Sequence, residues 1–334
     1  ALLRSIEETG SIARAAQGVG LSYRYAWGLL RKAEALFGHS LMQTGRGRGT
    51  QLSSLAEKLI WADRRVSARL SPTLESLASE LETELGKTVG NTAQAIRLDA
   101  SHGFAVAAFL KLANESGLSI DLRYRNSTDA VAALSRNESD LAGFHVPLGE
   151  FETQSAERFG KWLDPKHHQL IHLATRTQGL FVNPGNPLGI RGLHDLIRSE
   201  VRFVNRQAGS GTRLLLELML PSLGITPSQV NGYENTEFTH SAVAAFIASG
   251  MADVGFGVQT AAERFKLDFI PLARERYFFA VGTETLEQPQ MRKVIDVVNT
   301  ADFRERVQQL AGYDASHTGE ILTLQQAFGS AVKK

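Results

Sequence analysis

No cysteine occurs in the 334 residues. That absence excludes a disulfide framework, a thiolate metal site and a cysteine nucleophile. Long apolar runs are missing too. None approaches the ~18 to 20 residues that span a bilayer, so no membrane partner is expected. Neither sign of charge dominates, with 36 Lys and Arg against 35 Asp and Glu, and 43% of the residues are hydrophobic. Such a chain has the means to fold and does not read as disordered. The opening "ALLRSIEETGS" is amphipathic and charged, unlike a secretory leader. The reducing cytoplasm is therefore the expected location. The length predicts two or three domains.

The near-zero charge hides an asymmetry. Residues 1–50 hold seven basic side chains (Arg4, Arg14, Arg24, Arg31, Lys32, Arg46, Arg48) and three acidic ones (Glu7, Glu8, Glu34), a balance of +4 within a total of +1. A basic head on a slightly acidic body fits a polyanion-binding module. Charge alone equally fits chance clustering of surface arginines.

The helix pattern decides between them. Leu2, Leu3 and Ile6 fall at helical spacing, and Gly10 ends that helix. Ser11 caps the next one, whose Ile12, Ala15 and Ala16 form a narrow apolar face. Gly18 and Gly20 supply a turn. Ser22 then caps "YRYAWGLLRKAEALFG", with Ala26, Leu29, Leu30 and Ala33 as its buried stripe. Two short helices about a glycine turn predict a helix-turn-helix. Ser22, Tyr23, Arg24 and Tyr25 would sit on the first turn of the recognition helix, in reach of phosphates and base edges. Between the strand ends Leu41–Met42 and Gln51–Leu52, "TGRGRGT" predicts a wing carrying Arg46 and Arg48 to phosphate or the minor groove. A solvated loop is the plain alternative.

The stretch "ETGSIARAAQGVGLSYRYAWGLLRKAEALFG" resembles the winged helix of molybdate-responsive ModE-type regulators. It is related in layout to the LysR-type head, with "SYRYAW" closer to the former. The match covers about residues 1–65. It implies a homodimer or a tetramer, with two heads reading two half-sites of a double-stranded DNA operator.

From Ser53 to about Leu85 glycine and proline are nearly absent, Pro72 excepted. Leu55, Leu59 and Ala62, then Leu70, Leu74, Leu77 and Leu81, recur at three- and four-residue spacing. This predicts a linker and dimerisation helix within 66–93, kinked or broken near Ser71 by Pro72. Packing onto its own domain is the competing use of the stripe.

The body, 94–330, alternates strand and helix: "AIRLDAS", "HGFAVAAFLKLANESG", "LSIDLRYRNS", "TDAVAALSRNES", "DLAGFHV", and onward. That order predicts an α/β fold with a parallel sheet and helices on its faces. It matches a two-lobed, type II periplasmic-binding-protein-like domain, with lobe I at 94–174 and 272–330 and lobe II at 175–271. A single α/β enzyme is the competing architecture. A ligand would sit between the lobes, at strand carboxyl ends and helix amino ends.

The most telling motif is "FVNRQAGSGTRLLLE", where a strand ends at Asn205–Arg206, a glycine-rich turn follows, and a helix begins near Gly211. Helix amino ends expose unpaired N–H groups and partial positive charge. An oxyanion there would meet Ser210, Thr212 and the Gly211 backbone, with Arg206 or Arg213 adding bidentate donors. An ordinary capped turn is the plain alternative. No Walker A loop and no G-x-G-x-x-G fingerprint is present. Ser101 and His102, Ser127 and Thr128 after Asn126, and Thr239 and His240 stand at three further helix starts. Converging, they would form a donor-rich pocket without carboxylates, suited to a fully ionised oxyanion.

The segments "AGFHVP", "TQGLFVNPGNPLGI", "FVNRQAGSGTRLL", "GYENTEFTHSAVAAFIASGMADVGFGV" and "RERY" resemble the ligand domain fused to molybdate-type winged helices in bacterial regulators. The "NRQAGSGT" turn is similar to the Arg-x-x-x-Ser-Gly-Thr stretch of tungstate-binding proteins, which implies Arg206, Ser210 and Thr212 at the oxyanion. Together the resemblances imply a regulator of molybdenum- or tungsten-linked metabolism, such as formate dehydrogenase genes. The small molybdate-binding repeat of ModE-type regulators is missing, so an organic anion or a molybdenum-cofactor-like effector stays open.

Catalysis is not expected. Ser101–His102 and Thr239–His240 are adjacent pairs whose side chains point apart on a helix, and no G-x-S-x-G elbow occurs. His167, His168 and His172 cluster in "HHQLIH" without matched carboxylates. They predict a crossover with solvated histidines, not a metal site. No cofactor is expected beyond the effector anion.

Overall fold

Gly10 enters the left-handed region at φ 60° and ends α1 (Leu2–Thr9) there. The structure, a computed structural model, describes residues 1–44, 49–88 and 95–329. The chain forms two units, Ala1–Ser67 and Ala68–Lys334.

In the first unit the Ser11 hydroxyl accepts from the Arg14 N–H and opens α2 (Ile12–Gly18). The Ser22 hydroxyl accepts from the Tyr25 N–H at 3.2 Å and opens α3 (Tyr23–Phe37). An antiparallel pair follows, β1 (Met42–Thr44) with β2 (Thr50–Leu52). Ile6, Ile12, Ala15, Leu30 and Met42 form the core of this unit. Leu29, expected in the buried stripe, is 39% exposed, because the inward face of α3 is only wide enough for Ala26 and Leu30.

α4 (Ser54–Thr88) begins in this unit, where Arg64 pairs with Glu7 at 2.7 Å and Arg4 with Asp63. Pro72 lies inside the helix, so of the expected kink or break the break does not occur. Proline denies a donor to the carbonyl four residues back. That carbonyl, on Ala68, accepts instead from the Thr239 hydroxyl at 3.0 Å. Val66, Leu70, Leu74, Leu77, Leu81 and Leu85 lie exposed along α4.

The second unit is α/β. Its first lobe holds β3 (Ile96–Ala100), α5 (Phe104–Glu115), β4 (Ile120–Tyr124), α6 (Ser127–Ser135), β5 (Leu141–Pro147) and α7 (Glu152–Phe159). The long β6 (His168–Val182) then crosses to a second lobe of β7 (Phe203–Arg206), α8 (Gly211–Ser222), β8 (Thr236–Glu237), α9 (His240–Ala248), β9 (Val254–Val258) and α10 (Gln259–Arg264). β10 (Asp268–Gly282) returns to the first lobe, where helices Pro289–Asn299 and Ala301–Gln308 pack. The sheet runs β4-β3-β5-β10-β6-β9-β7-β8. β3, β4 and β5 pair in parallel, as do β7, β8 and β9, whereas β10 runs antiparallel to β5 and to β6, and β6 antiparallel to β9. β10 is one strand with two irregularities, at Pro271/Ala273 and Tyr277/Phe278.

Near one end β10 pairs with β5, and near one end β6 pairs with β9. The middle of these two strands is therefore the junction between lobes. Edge-on aromatic contacts pack the first lobe, Phe109 on Phe279 and Phe144 on Phe159. Of the histidine run, His167 is exposed and His168 half-buried, and the crossover is β6 itself, so only His172 departs from the solvated expectation. β6 starts at His168, and sheet pairing buries His172 to 2% exposure. Burial first, then Arg276, lowers the His172 pKa to about 4. Among the described residues no His, Asp and Glu grouping could hold a metal ion, and no helix is long and apolar enough to cross a membrane.

Candidate anion-binding cleft

Four helices of the second unit start toward the junction between lobes. The Asn126 side chain caps α6, Ser210 caps α8 and Thr239 caps α9, each accepting from the N–H three residues on. Gly103 opens α5 just after Ser101 and His102. Gly209 has φ 78°, and a Cβ there would lie 3.0 Å from Asn126 Nδ2. Glycine is thus needed twice at this turn, for its backbone and for the close approach of the two lobes. A Cβ at Gly211 would lie 3.2 Å from His145, so α8 also starts against β5.

Between these starts lies a chamber of about 440 Å³, bordered by Ser101, His102, Asn126, Arg206 and Ser210, with Tyr124, Asp129 and Phe238 at its sides. Pro72, Thr73, Ser76 and Leu77 of α4 border it as well. A second cavity of about 230 Å³ lies between α7 and α8, lined by His145, Gly211, Leu214, Leu215, Leu218 and Arg158.

Arg206 dominates the electrostatics. It is 2% exposed, and its Nε and Nη1 meet no acceptor among the described residues. Burial first, then repulsion from Arg176, lowers its pKa to about 9, opposed by Glu275. Arg176 is held otherwise. Its Nε donates to Glu275 at 2.6 Å and its Nη1 to the Tyr313 hydroxyl at 3.3 Å. Burial opposes its charge, yet Glu275 and Tyr313 raise its pKa. Gln178 donates to the same Glu275 oxygen at 2.7 Å and to Thr212 at 2.9 Å. Two buried guanidiniums thus share one buried carboxylate, which leaves one positive charge without a partner.

Three neutral histidines surround that charge. Burial first, then Arg206 and Arg264, lowers the His102 pKa to about 4. Burial, then the arginines, pushes His145 and His240 well below the usual range. His145 stacks on Tyr277 with ring centroids 4.1 Å apart. Its Nε2, and the Nδ1 of His240, meet no partner among the described residues. Burial raises the Tyr277 pKa, so the phenol stays protonated. The arrangement offers one cation and several neutral donors to an anion, at the amino ends of helices that favour negative charge.

The expected residues have varied fates. Ser101, His102, Arg206 and Ser210 border the chamber. Ser127 is fully buried, its hydroxyl 3.5 Å from His145 Nδ1, and the Thr128 hydroxyl has no partner among the described residues. Thr212 accepts from Gln178. Asn205 donates to the Tyr233 carbonyl and accepts from the Arg206 N–H, so it shapes the turn. Arg213 bonds Glu217 and the Tyr233 carbonyl and lies 3.9 Å over the Tyr233 ring, away from the chamber. The Thr239 hydroxyl goes to Ala68, and His240 stays inside. The pocket does contain a carboxylate, contrary to expectation. Asp129 borders it, held by Asn126 at 2.7 Å, and Glu275 lies buried at the strand junction.

Arg176, Gln178, Glu275, Tyr277 and His145 were not singled out from the sequence. Their only local signal is polar side chains inside apolar strands, in "LATRTQGLFV", "RERYFFAV" and "AGFHVP".

On the first unit, Tyr23 and Tyr25 are 54% and 59% exposed and Arg24 is exposed, while the Ser22 hydroxyl is used as a cap. Tyr23 stacks on Trp27, and Arg31 lies 4.7 Å over the Trp27 ring. Arg46 and Arg48 lie outside the described residues.

Comparison with known proteins gives a PBP superfamily domain over residues 110–299. The uncharacterized protein YvgK of Bacillus subtilis (strain 168) is 32% identical over 200 residues, 60% of this chain and 64% of that protein. The chain thus spans just under two thirds of that relative. The molybdenum-pterin-binding protein MopB of Rhodobacter capsulatus is 27% identical over 139 residues, 40% of this chain and 51% of that protein. A solved structure of OxyR from Corynebacterium glutamicum is similar at TM-score 0.48 and 14% identity, covering 93% of each chain.

Proposed function

This chain belongs to the PBP superfamily, and on that premise we propose that it is a cytoplasmic, DNA-binding transcriptional regulator whose interlobe cleft senses a small oxyanion, molybdate or tungstate foremost. The observation that carries the ligand reading is Arg206, a buried guanidinium with unused donors amid neutral histidines and helix amino ends. A buried cation without a counter-charge is costly unless an anion completes it. The similarity to a molybdenum-pterin-binding protein supports a molybdenum-containing ligand.

The first unit is read as a winged helix-turn-helix, with α3 in the major groove. Tyr23, Arg24 and Tyr25 stand exposed on its first turn, as that role requires. Arg46 and Arg48 would be its wing contacts. The exposed leucines of α4 are read as a seam between two copies, giving a homodimer on two half-sites. The regulated genes would serve molybdenum- or tungsten-linked metabolism, formate dehydrogenase included. The anion touches both lobes and favours their closed arrangement, and it acts only through its different affinity for the open and closed forms. No catalytic role is assigned.

Isothermal titration of anion-stripped protein with molybdate, tungstate and sulfate tests the ligand. Tight binding of the first two and weak binding of sulfate is the expected result. No heat from any of the three would refute the metal-oxyanion reading. Operator affinity measured at increasing molybdate should change, and one affinity at all concentrations would refute the sensor.

The 230 Å³ cavity favours a second reading. Its leucines adjoin Gly211 and His145 at the start of α8. An organic anion could place its charged group at Arg206 and its apolar part there. A screen of carboxylates by thermal shift distinguishes the two, since only this reading predicts stabilisation by such ligands.

A further inference from the structure

We propose that the second half of α4 is both a wall of the ligand chamber and a strap across the two lobes, so that the cleft opens only when the helix lets go of one of them. The proposal rests on the cleft being the anion site.

The helix holds each lobe through separate bonds. On the first lobe, the Ser79 hydroxyl accepts from the Leu122 N–H at 2.7 Å and donates to the Ile120 carbonyl at 3.1 Å. The Ser76 hydroxyl accepts from the Tyr124 N–H at 3.0 Å. The Tyr124 hydroxyl donates to Glu75 at 2.9 Å. On the second lobe, the Thr239 hydroxyl donates to the Ala68 carbonyl at 3.0 Å. Arg69 Nε lies 3.7 Å from Glu237, a carboxylate 1% exposed.

The two sets of holds lie within roughly 17 Å of one helix, at 1.5 Å per residue. Between them Pro72, Thr73, Ser76 and Leu77 border the chamber that Arg206 and Ser210 border from the other side. A regular helix has no slack along its axis. If the lobes separate, Ala68 and Ser79 cannot both follow, so one set of bonds must break.

This gives ligand binding a direct route outward. An anion that bridges the lobes keeps both sets of bonds in place and fastens the helix. Without it, the helix is free to leave one lobe. The helix itself begins at Ser54, within the first unit. The coupling is reciprocal: whatever holds the helix down must tighten the cleft.

Hydrogen exchange followed by mass spectrometry on the full chain tests this, with Ser79→Ala and Arg69→Ala as variants. Neither residue borders the chamber. Ser79→Ala removes two of the helix's bonds to the first lobe and none to the second. A strap predicts faster exchange at 120–124 and also, on the far lobe, at 236–243, each by about threefold or more. Arg69→Ala should give the reciprocal pattern. Exchange that rises only on the lobe whose bond was cut would overturn the strap.

Molybdate added to the wild-type chain provides the second arm. Heat of binding together with slower exchange over 68–79 supports the strap, and heat without that slowing refutes it. If molybdate gives no heat, the oxyanion reading fails for this probe, while the two variants still decide whether the helix straps the lobes.

Discussion

Arg176 and Glu275 stand opposite one another in the register of β6 and β10 and meet at 2.6 Å, which leaves Arg206 as the unmatched charge of the cleft. Removing that charge should have two opposite effects. Arg206→Met keeps most of the side-chain volume and takes away the guanidinium. Anion affinity should fall by about 100-fold or more, since a charge-assisted bidentate contact is lost. The ligand-free chain should gain about 1–4 kcal/mol, because an unpaired buried ion is replaced by an apolar group. Calorimetric titration and urea unfolding, run on the same preparations, report both. Lower stability without ligand would mean that Arg206 has a structural partner.

Thr239→Val should cost stability in a defined way. The hydroxyl both caps α9 and satisfies the Ala68 carbonyl that Pro72 leaves without a helical donor. Losing a cap and a buried bond together should cost about 2–3 kcal/mol. Thr239→Ser keeps the hydroxyl and should recover most of it. Urea midpoints of the two variants check this. A loss in Thr239→Ser with none in Thr239→Val would assign the effect to the methyl group.

Stability should depend on pH between about 6.5 and 4. His102 and His172 have folded pKa values of about 4, below their ordinary 6.5. In that window the unfolded chain binds more protons than the folded one, so stability rises with pH. Their contribution is complete above 6.5 and is lost as pH falls through the window. For His172, which is 2% exposed, it amounts to roughly 3 kcal/mol at most. Urea unfolding at pH 7.5, 6 and 5 should show falling midpoints, and His172→Gln should flatten the trend. A flat wild-type profile would put these rings in water.

The two faces of the molecule should separate by mutation. Arg24→Ala and Tyr25→Ala remove exposed side chains from the first turn of α3. Operator affinity should fall, and for Arg24→Ala the slope of log affinity against log salt should shrink by about 1. Molybdate binding should not change. An unchanged operator affinity would send the search to another surface of the first unit.

The turn at 205–212 was legible because a strand end, a glycine-rich turn and a hydroxyl cap have one local meaning. The caps at Ser11, Ser22 and Thr239 were legible for the same reason. Arg176 and Glu275 were not. They lie 99 residues apart, and only the pairing of two long strands sets them side by side. Pro72 misled because the local rule is sound and its remedy lies 171 residues away, at Thr239. His172 misled because local polarity says nothing about which part of a strand the sheet will bury. Asp129 was missed as a cleft carboxylate because no periodicity places a side chain across a gap between lobes.

The serines of α4 also bear on how the second unit could be cut or misassembled. β4 is the last strand on its side of the sheet, and the outward N–H groups of Leu122 and Tyr124 bond to Ser79 and Ser76. The helix thus stands where another strand would lie. A ligand domain severed from α4 would present that row of backbone groups to any passing chain, an invitation to strand addition and aggregation. Folding of the sheet and docking of α4 therefore belong to one event, and a soluble fragment of this unit should need to begin near Ala68, well ahead of the first strand.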